Sequence, residues 1–148
     1  MNTTSTVHGE IPVTNLYTAG IALEQFLRTI QRDGKLTATK CESCRVRYVP
    51  ARLFCERCLA RLKTWEDVPA QGTVHTFTVS HLDLDGKRLD RPAVVGLVSF
   101  AGFTGGIVHR ILGDPSQIQI GMKVEAVFAP AGSRAGSILD IEGFRPTR

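Results

Sequence analysis

Four cysteines carry the strongest chemical signal in this sequence. Cys41 and Cys44 form one C-x2-C pair and Cys55 and Cys58 a second, with ten residues between them. Each pair can place two sulfurs on one tight turn, and two such turns supply four thiolates to a tetrahedral ion at about 2.3 Å per bond. The spacing predicts a structural zinc ribbon with one ion per chain. Iron fits the same donors. Two other arrangements compete: a pair of disulfides, which a chain lacking a secretory signal should not keep, and a redox C-x-x-C, which needs only one pair near a βαβ unit. A closed four-thiolate site leaves no open coordination position, so the ion would fold the segment rather than do chemistry. Arg45 and Leu59 stand where metal knuckles commonly carry glycine.

With every cysteine committed to these pairs, no free thiol remains for acyl transfer. The sequence contains no G-x-S-x-G, no glycine-rich phosphate loop opening a helix and no H-E-x-x-H. His75 and His109 fall on alternating strands and could face one another, although a histidine on an apolar strand face is ordinarily a satisfied core residue. His8 and His81 have no neighbours that indicate a role. Asp83, Asp85 and Asp90 crowd one hairpin and read as solvated loop carboxylates. No catalytic constellation is legible.

The charge pattern singles out the same segment. The 148-residue chain has a net charge of +4, distributed as −1 over residues 1–34, +6 over residues 35–64 and −1 over residues 65–148. Four thiolates around Zn²⁺ would contribute about −2 and offset part of that excess. The remaining cations either keep a small ribbon solvated or face an acidic ligand or partner. The longest apolar stretch, residues 92–103, is shorter than the roughly 18 residues of a membrane helix. Residues 1–30 show no signal-peptide pattern, so the expected compartment is the cytoplasm.

The elements that must position these residues fall into three parts: residues 1–34, 35–64 and 65–148. In the first, residues 1–14 read as a poorly specified tail. Ala19, Ala22, Leu23, Phe26, Leu27 and Ile30 then recur at the spacing of one helical face, with Glu24, Gln25, Arg28, Gln31 and Arg32 opposite. Asp33-Gly34 ends that helix. A small ribbon cannot bury such a stripe fully, so part of it is expected on the protein's own core and part on a partner.

After Trp65 the pattern changes to five β-type runs at residues 72–80, 92–100, 106–112, 122–128 and 137–144. Thr73, His75, Phe77 and Val79 alternate with Val74, Thr76, Thr78 and Ser80. The link at residues 113–121 has room for at most a short helix. Five short antiparallel strands without long helices fit an OB-fold barrel, with an SH3-like barrel as the competing topology. Asp85-Gly86, residues 101–106 and residues 130–136 mark the turns. An OB barrel beside a zinc ribbon would also suit single-stranded nucleic acid. That reading ranks second, because the barrel segment is net negative and only Phe103 among its phenylalanines sits plainly in a turn.

The order of parts resembles a bacterial and archaeal family once catalogued as domain of unknown function thirty-five. The resemblance is carried by Gly34-Lys35-Leu36 leading into Cys41-Glu42-Ser43-Cys44, then by Tyr48-Val49-Pro50-Ala51-Arg52 before Cys55-Glu56-Arg57-Cys58. Trp65, the run from Gly72 to Thr78 and the run from Ile120 to Phe128 continue it, so that it covers about residues 15–145. It departs at Ala51, where a second proline is common, and at Arg45 and Leu59. The resemblance implies a rubredoxin-like zinc ribbon joined to an OB-fold. It implies a non-catalytic acyl-CoA-binding accessory that docks on a thiolase-like enzyme, such as a thiolase, a synthase or the aldolase of steroid side-chain degradation, with the nucleophile on the partner. A coenzyme A binder needs cations for the phosphates and a groove for the pantetheine arm. Placement makes Arg52, Lys87, Arg88 and Arg134 the candidate cations and Phe103 a candidate groove residue.

Overall fold

The computed structural model describes residues 17–147 together with Gly9 and Thr14. Most of the tail expected over residues 1–14, and His8 with it, lies outside the described residues. One α-helix, α1 (Gly20–Asp33), precedes nine strands: β1 (Leu36–Lys40), β2 (Arg47–Val49), β3 (Thr64–Val68), β4 (Gln71–Leu82), β5 (Arg88–Ser99), β6 (Thr104–Gly105), β7 (Ile107–Ile111), β8 (Lys123–Phe128) and β9 (Ile141–Pro146). Among the described residues no helix is long and apolar enough to cross a membrane.

Helix α1 stops where the sequence predicts. Gly34 takes a left-handed conformation (φ 62°) and its N–H donates to the Ile30 carbonyl at 3.0 Å, an arrangement glycine adopts without the Cβ penalty. The helix buries Ala22, Phe26 and Ile30, half-buries Leu27 and leaves Ala19 and Leu23 exposed. Only part of the apolar stripe therefore packs inward, against β1 and the 3-10 turns at Ala131–Ser133 and Ile138–Asp140. Burying a side chain the size of Phe26 or Ile30 contributes about 1.5–3 kcal/mol, enough to hold a short helix that has no side-chain cap at its N-terminus.

Strands β4, β5, β7, β9 and β8 close a barrel in that order. All pairings are antiparallel except β7 with β9, where Ile111 faces Phe144. The fifth barrel strand is thus inserted between the third and fourth, the OB-fold closure, which decides against the SH3-like alternative. The link over residues 113–121 holds a single 3-10 turn, Pro115–Gln117.

Three details depart from the sequence-based expectation. The first concerns β4, where strict alternation sets Val74 on the face opposite Phe77 and Val79. The register shifts between Val74 and Thr76, leaving His75 exposed at a bulge. One extra residue changes the phase, so Val74 is buried while Phe77 and Val79 also pack against the core. His75 and His109 consequently do not face one another: His109 lies edge-on to Phe144, ring centroids 6.4 Å apart, while His75 points to solvent.

The second departure is at residues 137–140, which form a 3-10 turn rather than the start of the last strand; β9 begins at Ile141. Asp140 explains the difference. Its carboxylate accepts N–H bonds from Ala135 (2.9 Å), Gly136 (2.8 Å) and Ser137 (3.2 Å). Burial alone would raise this carboxyl's pKa, but the three backbone donors hold it below the ordinary range. The third departure is at residues 101–106, where the expected turn also contributes β6. That strand leaves the barrel and pairs in parallel with β2, Tyr48 facing Thr104 and Val49 facing Gly105. The second sheet therefore runs β3-β1-β2-β6 and joins the cysteine segment to the barrel. One continuous core runs through the joint, from Ile30 and Leu36 through Val49 to Val98 and Phe144.

Candidate functional site

The two cysteine turns are built alike. The N–H of Cys41 donates to the Val46 carbonyl at 2.8 Å and that of Cys55 to the Ala60 carbonyl at 2.9 Å. Each turn needs a residue with positive φ four positions after its first cysteine, and Arg45 (φ 56°) and Leu59 (φ 60°) occupy those places. The glycine missing from the sequence is thus missing from a position whose backbone is left-handed, a conformation that costs an L-residue about 1–2 kcal/mol.

The turns bring all four sulfurs within 4.8 Å of one another, with Cys41 Sγ and Cys58 Sγ 3.6 Å apart. Four bonds of 2.3 Å at tetrahedral angles require sulfurs about 3.8 Å apart, so the donor set fits a tetrahedral thiophilic ion. A disulfide needs about 2.05 Å, and all four cysteines are free thiols here. Cys41 and Cys55 are buried, Cys44 is half-buried and Cys58 is exposed.

The surroundings favour thiolate at one sulfur first. The buried Tyr48 hydroxyl lies 3.3 Å from Cys55 Sγ, and this bond, with the N–H groups of Cys58 and Arg57, draws the Cys55 thiol down to about 6 against the opposing effect of burial. Cys44 is pushed up to about 12 by its sulfur contact with Cys58 and by burial, since neighbouring thiols cannot all ionise without a cation between them. Tyr48 belongs to β2 and faces Thr104 of β6, so the residue that touches the sulfur cluster also carries the joint to the barrel. Composition and spacing do not single Tyr48 out; its role follows from the fold.

The five candidate ligand-binding residues are not gathered in one place. Arg52 and Phe103 lie on the two sides of the joint. The Arg52 guanidinium stacks 5.1 Å from the centre of the Tyr48 ring and pairs with Glu56, while Phe103 is covered by the Arg47 guanidinium at 4.9 Å. Lys87 and Arg88 are exposed at the end of the β4–β5 hairpin. There, Asp83 Oδ1 accepts the N–H groups of Asp85 (2.9 Å) and Lys87 (2.8 Å), so this carboxylate shapes a turn. Arg134 sits beside the helix. Its Nε donates to the Ala129 carbonyl at 2.7 Å, its guanidinium lies 5.9 Å from the Phe128 ring, and its carbonyl accepts from Gln31 at 3.3 Å. Among the described residues no hydrogen bond or ion pair links these three places. Helix α1 packs on the 3-10 turns between β8 and β9, one of the loops that flank the usual ligand face of an OB-fold. An open cleft of about 360 Å³ that the sequence does not reveal lies elsewhere on the barrel, lined by Leu112, Ile118, Met122 and Pro146 with Arg145 at its edge.

Comparison with known proteins places this arrangement. Residues 30–64 match the model described as the ChsH2 rubredoxin-like zinc ribbon domain, and residues 65–129 match the ChsH2 C-terminal OB-fold domain. A DUF35 domain-containing scaffold protein of Methanocaldococcus jannaschii is 31% identical over 105 residues, covering 68% of this chain and 72% of the relative. Its counterpart in Methanothermobacter thermautotrophicus is 32% identical over 105 residues, 68% of this chain and 77% of the relative. In fold, the chain is similar to a Sulfolobus solfataricus protein of unknown function from the DUF35 family (TM-score 0.68, 23% identity, 86% of this chain and 84% of that one). It is also similar to a chain of the Ltp2-ChsH2(DUF35) aldolase (TM-score 0.65, 22% identity, 92% and 98%). The paired cysteine turns and the five-stranded barrel therefore correspond to the zinc ribbon and the OB-fold of a known group, and this chain belongs to the DUF35 family.

Proposed function

We propose that this chain is a non-catalytic scaffold subunit that docks on a thiolase-superfamily enzyme and helps hold that enzyme's acyl-CoA substrate. The observation that carries the reading is that all four sulfurs lie within 4.8 Å of one another; it supports a single closed zinc site that uses every cysteine, with the acyl-transfer nucleophile on a partner. The scaffold name of the archaeal relatives and the aldolase complex containing a DUF35 chain of similar fold support the same division of labour. Zinc, one ion per chain, supplies folding energy to the ribbon; Cys41, Cys44, Cys55 and Cys58 hold it.

Toward the coenzyme, Arg52 and Phe103 at the joint are the best placed of the candidate contacts, because both lie where ribbon and barrel meet. Lys87, Arg88 and Arg134 would reach coenzyme A phosphates only from other sides, with the partner enzyme completing the site. Co-purification of the tagged chain from its native host is expected to bring down a thiolase-superfamily enzyme, and the purified chain alone is expected to leave acetyl-CoA and acetoacetyl-CoA unchanged. Thioester turnover by the lone chain, abolished by substituting a barrel residue, would overturn the reading.

A further inference from the structure

The fold sorts the eight cations of the cysteine segment into two groups. Lys35 pairs with Asp67 at 2.9 Å, Lys40 with Glu42 and Glu66 at 3.7 and 3.8 Å, Arg47 with Glu66 at 3.8 Å, and Arg52 with Glu56. Arg45, Arg57, Arg61 and Lys63 are exposed and, among the described residues, have no ion pair. Three of these four lie on the cysteine turns themselves. Arg45 follows Cys44, Arg57 stands inside the second pair, and Arg61 faces Phe54 across a short antiparallel bridge.

Two large apolar side chains stand out from the same place: Phe54 is 54% exposed and Leu59 is 76% exposed. Leu59 is the more informative of the two. It holds a left-handed backbone position at φ 60°, where glycine would be relaxed, and its side chain lies largely outside the core. A leucine there strains the turn and leaves apolar surface in water, so neither turn geometry nor core packing accounts for it.

We propose that the second cysteine turn is the docking knuckle of this chain. Leu59 and Phe54 enter an apolar pocket on the partner enzyme, and an acidic rim around that pocket meets Arg45, Arg57 and Arg61. The inference rests on the scaffold reading and deepens it by naming the surface and the partner's chemistry. Charge complementarity carries the choice of rim, because Lys35, Lys40, Arg47 and Arg52 are already paired with carboxylates of this chain, Arg52 with Glu56 of the second turn itself, while Arg45, Arg57 and Arg61 have no ion pair among the described residues. The placement suits a hot spot: two exposed apolar side chains on a turn that an ion bound by the four sulfurs would hold rigid lose little freedom on binding. A protein pocket accounts for the knuckle better than nucleic acid does, since aliphatic Leu59 offers no face for base stacking and Phe54 alone is not a stacking platform.

The test uses the enzyme identified by co-purification, purified and immobilised, with the full chain in solution. Leu59→Gly relaxes the backbone while removing the knob, so its thermal midpoint is expected to stay or rise while affinity falls about tenfold. The double reversal Arg57→Glu, Arg61→Glu is expected to weaken binding about a hundredfold, mainly at low salt. If both variants fold and bind like the unaltered chain, the knuckle is not the docking point and the scaffold reading survives. If the unaltered chain does not bind the enzyme, the scaffold reading fails and this inference with it. Binding of labelled oligodeoxythymidylate at physiological salt, lost in the double reversal, would reassign the knuckle to nucleic acid and overturn the proposal.

Discussion

Gly105→Ala should uncouple the cysteine segment from the barrel, and its cost can be worked from the geometry. Gly105 has φ +94°, and a Cβ built on it would lie 2.3 Å from the Val49 carbonyl oxygen. That is about 1 Å inside an ordinary carbon–oxygen contact of about 3.3 Å. The oxygen is backbone, so the clash is relieved only by moving β2 away from β6 and losing the Val49–Gly105 pairing. Lost strand bonds cost about 1 kcal/mol each, and the positive φ adds about 1–2 kcal/mol for an L-residue, for a total of about 2–4 kcal/mol. Gly102→Ala is the control. It has a similar φ of +81°, but its Cβ would meet only the Arg47 guanidinium, at 3.2 Å, which can swing aside, leaving the conformational cost alone. Urea unfolding of the full chain measures both variants. The expected result is a loss for Gly105→Ala that exceeds the loss for Gly102→Ala by about 1–2 kcal/mol. Equal losses would refute the claim that the β2–β6 joint ties the two modules together.

Metal analysis of the purified protein is expected to find about one zinc per chain, and Cys41→Ser combined with Cys58→Ser should abolish it and unfold the ribbon; a fully folded, metal-free variant would count against the site. A second expectation concerns pH. Burial, which outweighs the opposing Ile138 carbonyl, keeps His109 below its ordinary value of 6.5, with Arg110 adding to the depression, and His109 Nδ1 is buried without a hydrogen-bond partner. The unfolded chain therefore binds the proton more readily, so this contribution is fully present above about pH 6.5 and is lost as pH falls toward the folded-state value. His109→Leu should flatten the pH dependence of the urea midpoint between about pH 7 and pH 5; an unchanged slope would show that the imidazole titrates freely.

The sequence by itself determined what local chemistry can determine. Four cysteines at that spacing admit few arrangements, and the structure places them within one ion's reach. Asp33-Gly34 ends the helix because only a residue tolerant of positive φ closes that cap. The barrel strands are legible because one buried face imposes alternation, and Pro130 to Gly136 could only be a turn. The tertiary structure decided what depends on partners distant in the chain. The bulge at His75 shifts the phase of β4, which alternation alone cannot report. Strand β6 is two residues long and exists only because β2 lies beside it, and Arg134 is occupied because Ala129, Phe128 and the helix surround it. The division of the cations belongs here too: whether a lysine or arginine is neutralised depends on which carboxylate the fold brings within about 4 Å, and no spacing in the sequence specifies that.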